Sequence, residues 1–200
     1  MEASRGDAPT PDERTALLVV DVQNDFCPGG ALPAPGGDRV VAPLNRRLAR
    51  AAADGMTVFA SRDWHPAVTT HFAPYGGPWP VHCVAGTPGA AFHRDLALPP
   101  DVIVISKGED PGAHGYSAFD GRTADGTPLL DAVRARGVTH LVVGGLTTEY
   151  CVQSSVLDAL AAGLRVTVLG DAIAGVDVQP GDAARAIETM RARGVPFSER

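Results

Sequence analysis

Five short runs of apolar, largely β-branched residues constrain this chain more than any other feature. They lie at 15–21, 56–62, 101–107, 138–144 and 164–170. Each is mostly continuous rather than alternating, as expected of strands covered on both faces. Between them the apolar spacing lengthens to three and four residues. Segment 38–53 places Val40, Val41, Leu44 and Leu48 in that rhythm, 128–136 places Leu129, Leu130 and Val133, and 150–162 places Val152, Val156, Leu157 and Leu160. A last helical pattern spans 182–192. Strand and helix in alternation predict an α/β fold: a mainly parallel sheet of about six strands, with helices on both faces in three layers.

A chain of 200 residues without repeat or low-complexity linker needs only one such domain, here 15–200. That length buries roughly 70% of the unfolded surface, so no disulfide is required for folding. Residues 1–14 are polar, carry four acidic groups and two prolines, and read as a flexible solvated arm. The arm has no apolar stretch of the signal-peptide kind. Three cysteines, an odd and sparse count, then point to reduced thiols and a cytoplasmic protein. The formal net charge is −6 without Lys/Arg clusters, which argues against nucleic acid and anionic membranes as partners. No apolar run reaches the roughly 18 residues of a membrane helix. A homo-oligomer stays open.

Segment 63–100 keeps no period. It is proline-rich and holds both tryptophans and four of the six histidines. An irregular connection of this length in a compact domain is functional or disordered, and its aromatic content favours a loop built around a site.

Open α/β sheets bind ligands outside the carboxyl ends of their strands. Here the first strand runs into Asp21, the third into Lys107, and the fourth into Thr147-Thr148-Glu149-Tyr150-Cys151. Cys151 falls in the first turn of a predicted helix, with Thr147 or Thr148 as N-cap, where the helix end favours a thiolate. A lone cysteine is also a common small core residue. Asp21 and Lys107 taken singly fit a loop cap and a surface charge. Converging with Cys151 on one edge, they supply the base and the cation that a thiol nucleophile needs. Asp63 and His65, with His71 and His82 downstream, match a carboxylate–imidazole metal set for Zn²⁺, Fe²⁺ or Mn²⁺, and also match ordinary hydrogen-bonding histidines. His93, His114 and His140 read as structural or exposed.

Several segments together resemble the isochorismatase-like cysteine hydrolases, and within them the nicotinamidase/pyrazinamidase branch. They are Leu18-Val19-Val20-Asp21-Val22-Gln23-Asn24-Asp25-Phe26, Ser61-Arg62-Asp63-Trp64-His65-Pro66, Trp79-Pro80-Val81-His82-Cys83, Ser106-Lys107-Gly108, Tyr116-Ser117-Ala118-Phe119 and Thr148-Glu149-Tyr150-Cys151-Val152. The resemblance implies hydrolysis of nicotinamide, and of pyrazinamide-like aromatic amides, to the acid and ammonia through a thioester. It implies Cys151 as nucleophile, Asp21 as general base and Lys107 as charge-stabilising partner. Asp63, His65, His71 and His82 fall on ligand positions for one divalent ion. Phe26, Trp79 and Tyr116 fall around the substrate. A cis peptide falls on Leu146–Thr147, with the N–H groups of Thr147 and Cys151 as an oxyanion hole. The chain departs from the pattern at Glu149, where aspartate is common, and at Gln153, where arginine is common. Another amide or N-carbamoyl substrate, hydrolysed without metal, is the alternative within the same superfamily.

Overall fold

The computed structural model describes residues 14–198. The 1–14 arm of the sequence reading therefore lies outside the described residues, except for Arg14, which opens the first strand. Six strands follow: β1 (Arg14–Val20), β2 (Thr57–Asp63), β3 (Ile103–Lys107), β4 (Val138–Leu146), β5 (Arg165–Ala174) and β6 (Phe197–Ser198). Four α-helices join them: α1 (Val41–Ala53), α2 (Leu129–Ala135), α3 (Gln153–Ala161) and α4 (Asp182–Ala192). The strands lie in the order β3-β2-β1-β4-β5-β6, and every pairing is parallel.

The pleat of β1 sorts its side chains between two cores. Ala16, Leu18 and Val20 pack with Leu129 and Val133 of α2, Val156 and Ala159 of α3, and Met190 of α4. Leu17 and Val19 turn to the other face, against Val41, Leu44, Leu48 and Ala51 of α1 and against Cys83, Ala90 and Leu96 of the long loop. All five β1 core residues are essentially inaccessible. A run buried on both faces cannot alternate apolar with polar, which is why the sequence shows continuous blocks.

Strand order reverses between β1 and β4, the place where open α/β sheets hold their ligands. Gly145 permits the close pairing there. Its φ is +134°, and a Cβ at this position would stand 2.0 Å from the Val20 carbonyl oxygen. Two strands run beyond the sequence reading. β4 extends to Leu146, and β5 reaches Ala174 through an irregularity that resumes pairing at Gly145 with Ile173. β6 is two residues long and shows no periodic signal of its own.

Candidate active site

Strand ends bring the three widely spaced groups together. Lys107, fully buried at the end of β3, extends its ammonium into an ion pair 2.9 Å from Asp21 Oδ2. It donates to Asp63 Oδ1 at the end of β2, to the Gly115 carbonyl at 3.0 Å, and to Cys151 Sγ at 3.4 Å. Asp21 leaves β1 with φ of +48°. Its backbone N–H donates to the Ser61 carbonyl at 3.1 Å, and Ser61 Oγ donates to its Oδ1 at 2.6 Å. Asp21, Asp63 and Cys151 each have a polar atom within 4.8 Å of the others.

Two carboxylates and one ammonium leave this cluster with one excess negative charge when all three are ionised. Burial sets the terms. It raises the Asp21 carboxyl above its ordinary range, with Lys107 opposing and Asp63 reinforcing the rise. Burial acts on Asp63 in the same sense, but Lys107 outweighs it and holds that carboxyl below the usual range. Lys107 is pushed up against its own desolvation by Asp21 and Asp63, so it stays charged. Two neighbouring acids with oppositely displaced proton affinities divide the roles between them: Asp21 can exchange a proton, while Asp63 stays ionised.

Cys151 lies in a π-helical turn, Thr148–Val152, that leads into α3. The Thr147 carbonyl accepts from the N–H groups of Tyr150 at 3.2 Å and Val152 at 3.1 Å, passing over Cys151 between them. Thr147 holds the N-cap position in extended conformation, but its hydroxyl makes no capping bond. The expected threonine thus stands at the cap, without the side-chain bond that usually favours it there. The expected thiolate also changes: burial raises the Cys151 thiol well above its ordinary value, with Lys107 opposing and Asp21 and Asp63 adding to the rise. Resting Cys151 is a thiol beside a proton acceptor. The Leu146–Thr147 peptide is cis, at the position the resemblance implied.

The histidines form a second group around the other oxygen of Asp63. Asp63 Oδ2 stands 3.6 Å from His65 Nε2 and 3.9 Å from His82 Nε2. His65, His71 and His82 are all buried and offer ring nitrogens within 4.8 Å of one another. His65 Nδ1–H donates to the Gly108 carbonyl at 3.0 Å, and His82 Nδ1–H donates to the Pro80 carbonyl at 2.8 Å. Both bonds leave Nε2 with a lone pair facing inward. His65 Nε2 is buried without a hydrogen-bond partner, as a nitrogen kept for a cation would be. His71 is pulled down to about 3 by burial and by the neighbouring imidazoles, so it stands there as a neutral donor. Gly108 makes room for this arrangement: at φ of +69°, a Cβ there would stand 2.4 Å from the His65 ring.

A narrow slot joins the two clusters. Cys151, Thr147, Asp63, His71 and His82 line it, with Phe26, Trp79 and Tyr116 as aromatic walls. Trp79 Nε1–H donates to the Tyr116 hydroxyl at 2.9 Å. Every site residue expected from the sequence therefore falls in or beside this slot. Sequence reasoning missed four others. Tyr150 meets Trp79 edge to face at 4.8 Å between centroids, and its place directly before Cys151 was the available signal. Val176 and Leu32 close the slot from loops without a pattern. Ser61 sits inside a strand that reads as uniformly buried.

An all-parallel sheet with acid, amine and thiol at its carboxyl edge defines the isochorismatase-like α/β class. The chain belongs to the isochorismatase domain family, whose pattern matches residues 15–200. It is 44% identical over 195 residues to a nicotinamidase of Escherichia coli (strain K12), covering 90% of this chain and 92% of that one. It is 43% identical over 183 residues to a nicotinamidase/pyrazinamidase of Mycobacterium tuberculosis (strain ATCC 25618 / H37Rv), covering 90% and 96%. The crystal structure of the pyrazinamidase of Pyrococcus horikoshii in complex with zinc superimposes with a TM-score of 0.86 at 42% identity, covering 94% of this chain and 99% of that one.

Proposed function

We propose that residues 15–200 form one hydrolase domain that converts nicotinamide, and pyrazinamide-like aromatic amides, to the carboxylic acid and ammonia. The observation that carries this reading is the contact of Lys107 with Asp21, Asp63 and Cys151 at the floor of an aromatic slot. Flat walls of Phe26, Trp79 and Tyr116 suit a planar ring. The relatives' activities and the zinc-bound pyrazinamidase point the same way.

Substrate entry brings an amide carbonyl to Cys151. Asp21 takes the thiol proton, and Lys107 stabilises both the carboxylate before transfer and the sulfur after it. Sulfur attacks the carbonyl carbon, and the oxyanion rests on the N–H groups of Thr147 and Cys151. Asp21 returns the proton to the departing ammonia, then activates the water that opens the thioester. A single oxyanion donor is worth about 10²- to 10³-fold in rate.

Asp63, His65, His71 and His82 would hold one divalent ion, Zn²⁺ before Fe²⁺ or Mn²⁺ given three imidazoles and one carboxylate. When bound, such an ion supplies a Lewis acid that anchors the ring nitrogen of the substrate. The buried, unpartnered Nε2 of His65 favours this reading over the metal-free alternative on N-carbamoyl compounds. The reaction belongs to NAD salvage, and we place it in the cytoplasm.

Ammonia release from nicotinamide, pyrazinamide, benzamide and an N-carbamoyl amino acid tests the proposal, each with and without a chelator. Turnover is expected for the pyridine and pyrazine amides, and Cys151→Ala should lower it by more than about a thousandfold. Preferred cleavage of the N-carbamoyl compound, or substantial activity in the alanine variant, overturns the assignment.

A further inference from the structure

Two of the three clustered imidazoles have their tautomer set by a backbone carbonyl: Gly108 for His65 and Pro80 for His82. A backbone carbonyl only accepts, so each fixes its proton on Nδ1. His71 differs. Its Nδ1 lies 3.0 Å from Nδ1 of His114, an exposed side chain outside the expected site residues. Two such nitrogens share one proton, one donating and one accepting. With the proton on His71, its Nε2 keeps a lone pair, as those of His65 and His82 do. His114 is itself held in place. Its ring stacks on Tyr116 with centroids 5.4 Å and planes 12° apart, and the next residue, Gly115, accepts from Lys107 through its carbonyl.

We propose that His114 is a positioning residue: it accepts the Nδ1 proton of His71 and so presents Nε2 of His71 to a divalent cation held with His65 and His82. The inference rests on the ligand set proposed above and adds the residue that orients its one ligand without a backbone acceptor. Outer partners of ligating histidines act this way by fixing ring orientation and raising basicity.

Zn²⁺ affinity, measured on the full-length protein by competition with a chromogenic chelator, tests the assignment independently of turnover. His114→Ala and His114→Phe are each expected to weaken Zn²⁺ binding by about 10- to 100-fold. The phenylalanine keeps a ring over Tyr116, so its failure to restore affinity assigns the effect to the hydrogen bond. His114→Asn places an amide oxygen near the position of Nδ1 and should recover most of the affinity. His71→Ala is the reference. If His71→Ala weakens binding while His114→Ala or His114→Phe binds as wild type, the role of His114 is overturned and the ligand set stands. If His71→Ala leaves affinity unchanged, His71 is not a ligand, and the proposal falls with that part of the ligand set.

Discussion

Replacing Lys107 by methionine removes the only cation between two buried carboxylates while keeping much of the side-chain volume. At 2.9 Å from Asp21, the gross attraction at an effective dielectric of 20 is about 6 kcal/mol. The net loss is smaller, because the ammonium's own desolvation is also relieved. Removing one partner of a buried pair costs about 3 to 5 kcal/mol. That cost must depend on pH. In the wild type, Asp63 is held low, so it adds stability above the unfolded carboxylate value and loses it as pH falls through the native value. Asp21, already raised, acts in the opposite sense. Without Lys107 both carboxyls rise, and each then destabilises the native state as pH climbs above about 4. Urea unfolding of chelator-treated wild type and Lys107→Met should therefore differ most near neutrality, and the gap should narrow toward pH 4 without closing, because Asp63 of the wild type is still ionised there. A difference that is flat across this range, or one below about 1 kcal/mol at pH 7.5, refutes the account of the cluster.

Ser61→Ala deletes a hydrogen bond to the ionised form of Asp21, so its carboxyl should rise further; the acid limb of kcat is expected to move up by about 1 pH unit. Gly145→Ala sets a methyl group against the Val20 carbonyl at positive φ, and thermal denaturation should show a loss of about 3 kcal/mol or more, or no folded protein. Asp63→Asn removes one of the two charges that raise the Cys151 thiol. Its alkylation by iodoacetamide should show a midpoint about 1 to 2 pH units lower, while amide turnover falls; an unmoved midpoint would mean that Asp63 does not act on the sulfur.

Strand interiors were readable because burial on both faces writes itself into unbroken apolar runs; β1, β2, β3 and β4 fall within two residues of their expected limits. Strand ends were readable because Asp21, Lys107 and Cys151 interrupt those runs with groups that burial alone would not select. β6 was not, since two residues paired to Val168 and Leu169 carry no period. The slot's remaining wall was also hidden. Val176 sits there because Glu149 Oε1 accepts the Asp177 N–H at 2.6 Å, tying the nucleophile turn to the loop after β5. That contact joins residues 28 positions apart and leaves no local signature. His114 is exposed, as its irregular loop suggested, but its contact with His71 joins residues 43 positions apart and leaves no local signature either. The state of Cys151 needed coordinates too. A helix start argues for a thiolate, yet full burial beside two carboxylates reverses the sign.

Asp63 is the residue on which both halves of the site depend. Its Oδ1 belongs to Lys107, and its Oδ2 faces His65 and His82. A cation at the imidazoles would draw on the same carboxylate that keeps Lys107 charged, so positive charge on one side lessens what Asp63 contributes on the other. As the share of Asp63 taken by the imidazole side grows, its opposition to a sulfur anion weakens. Lys107 is then freer to favour Asp21 and Cys151. In the proposed reaction, the imidazole group and the thiol are thus linked through one carboxylate, two bonds wide.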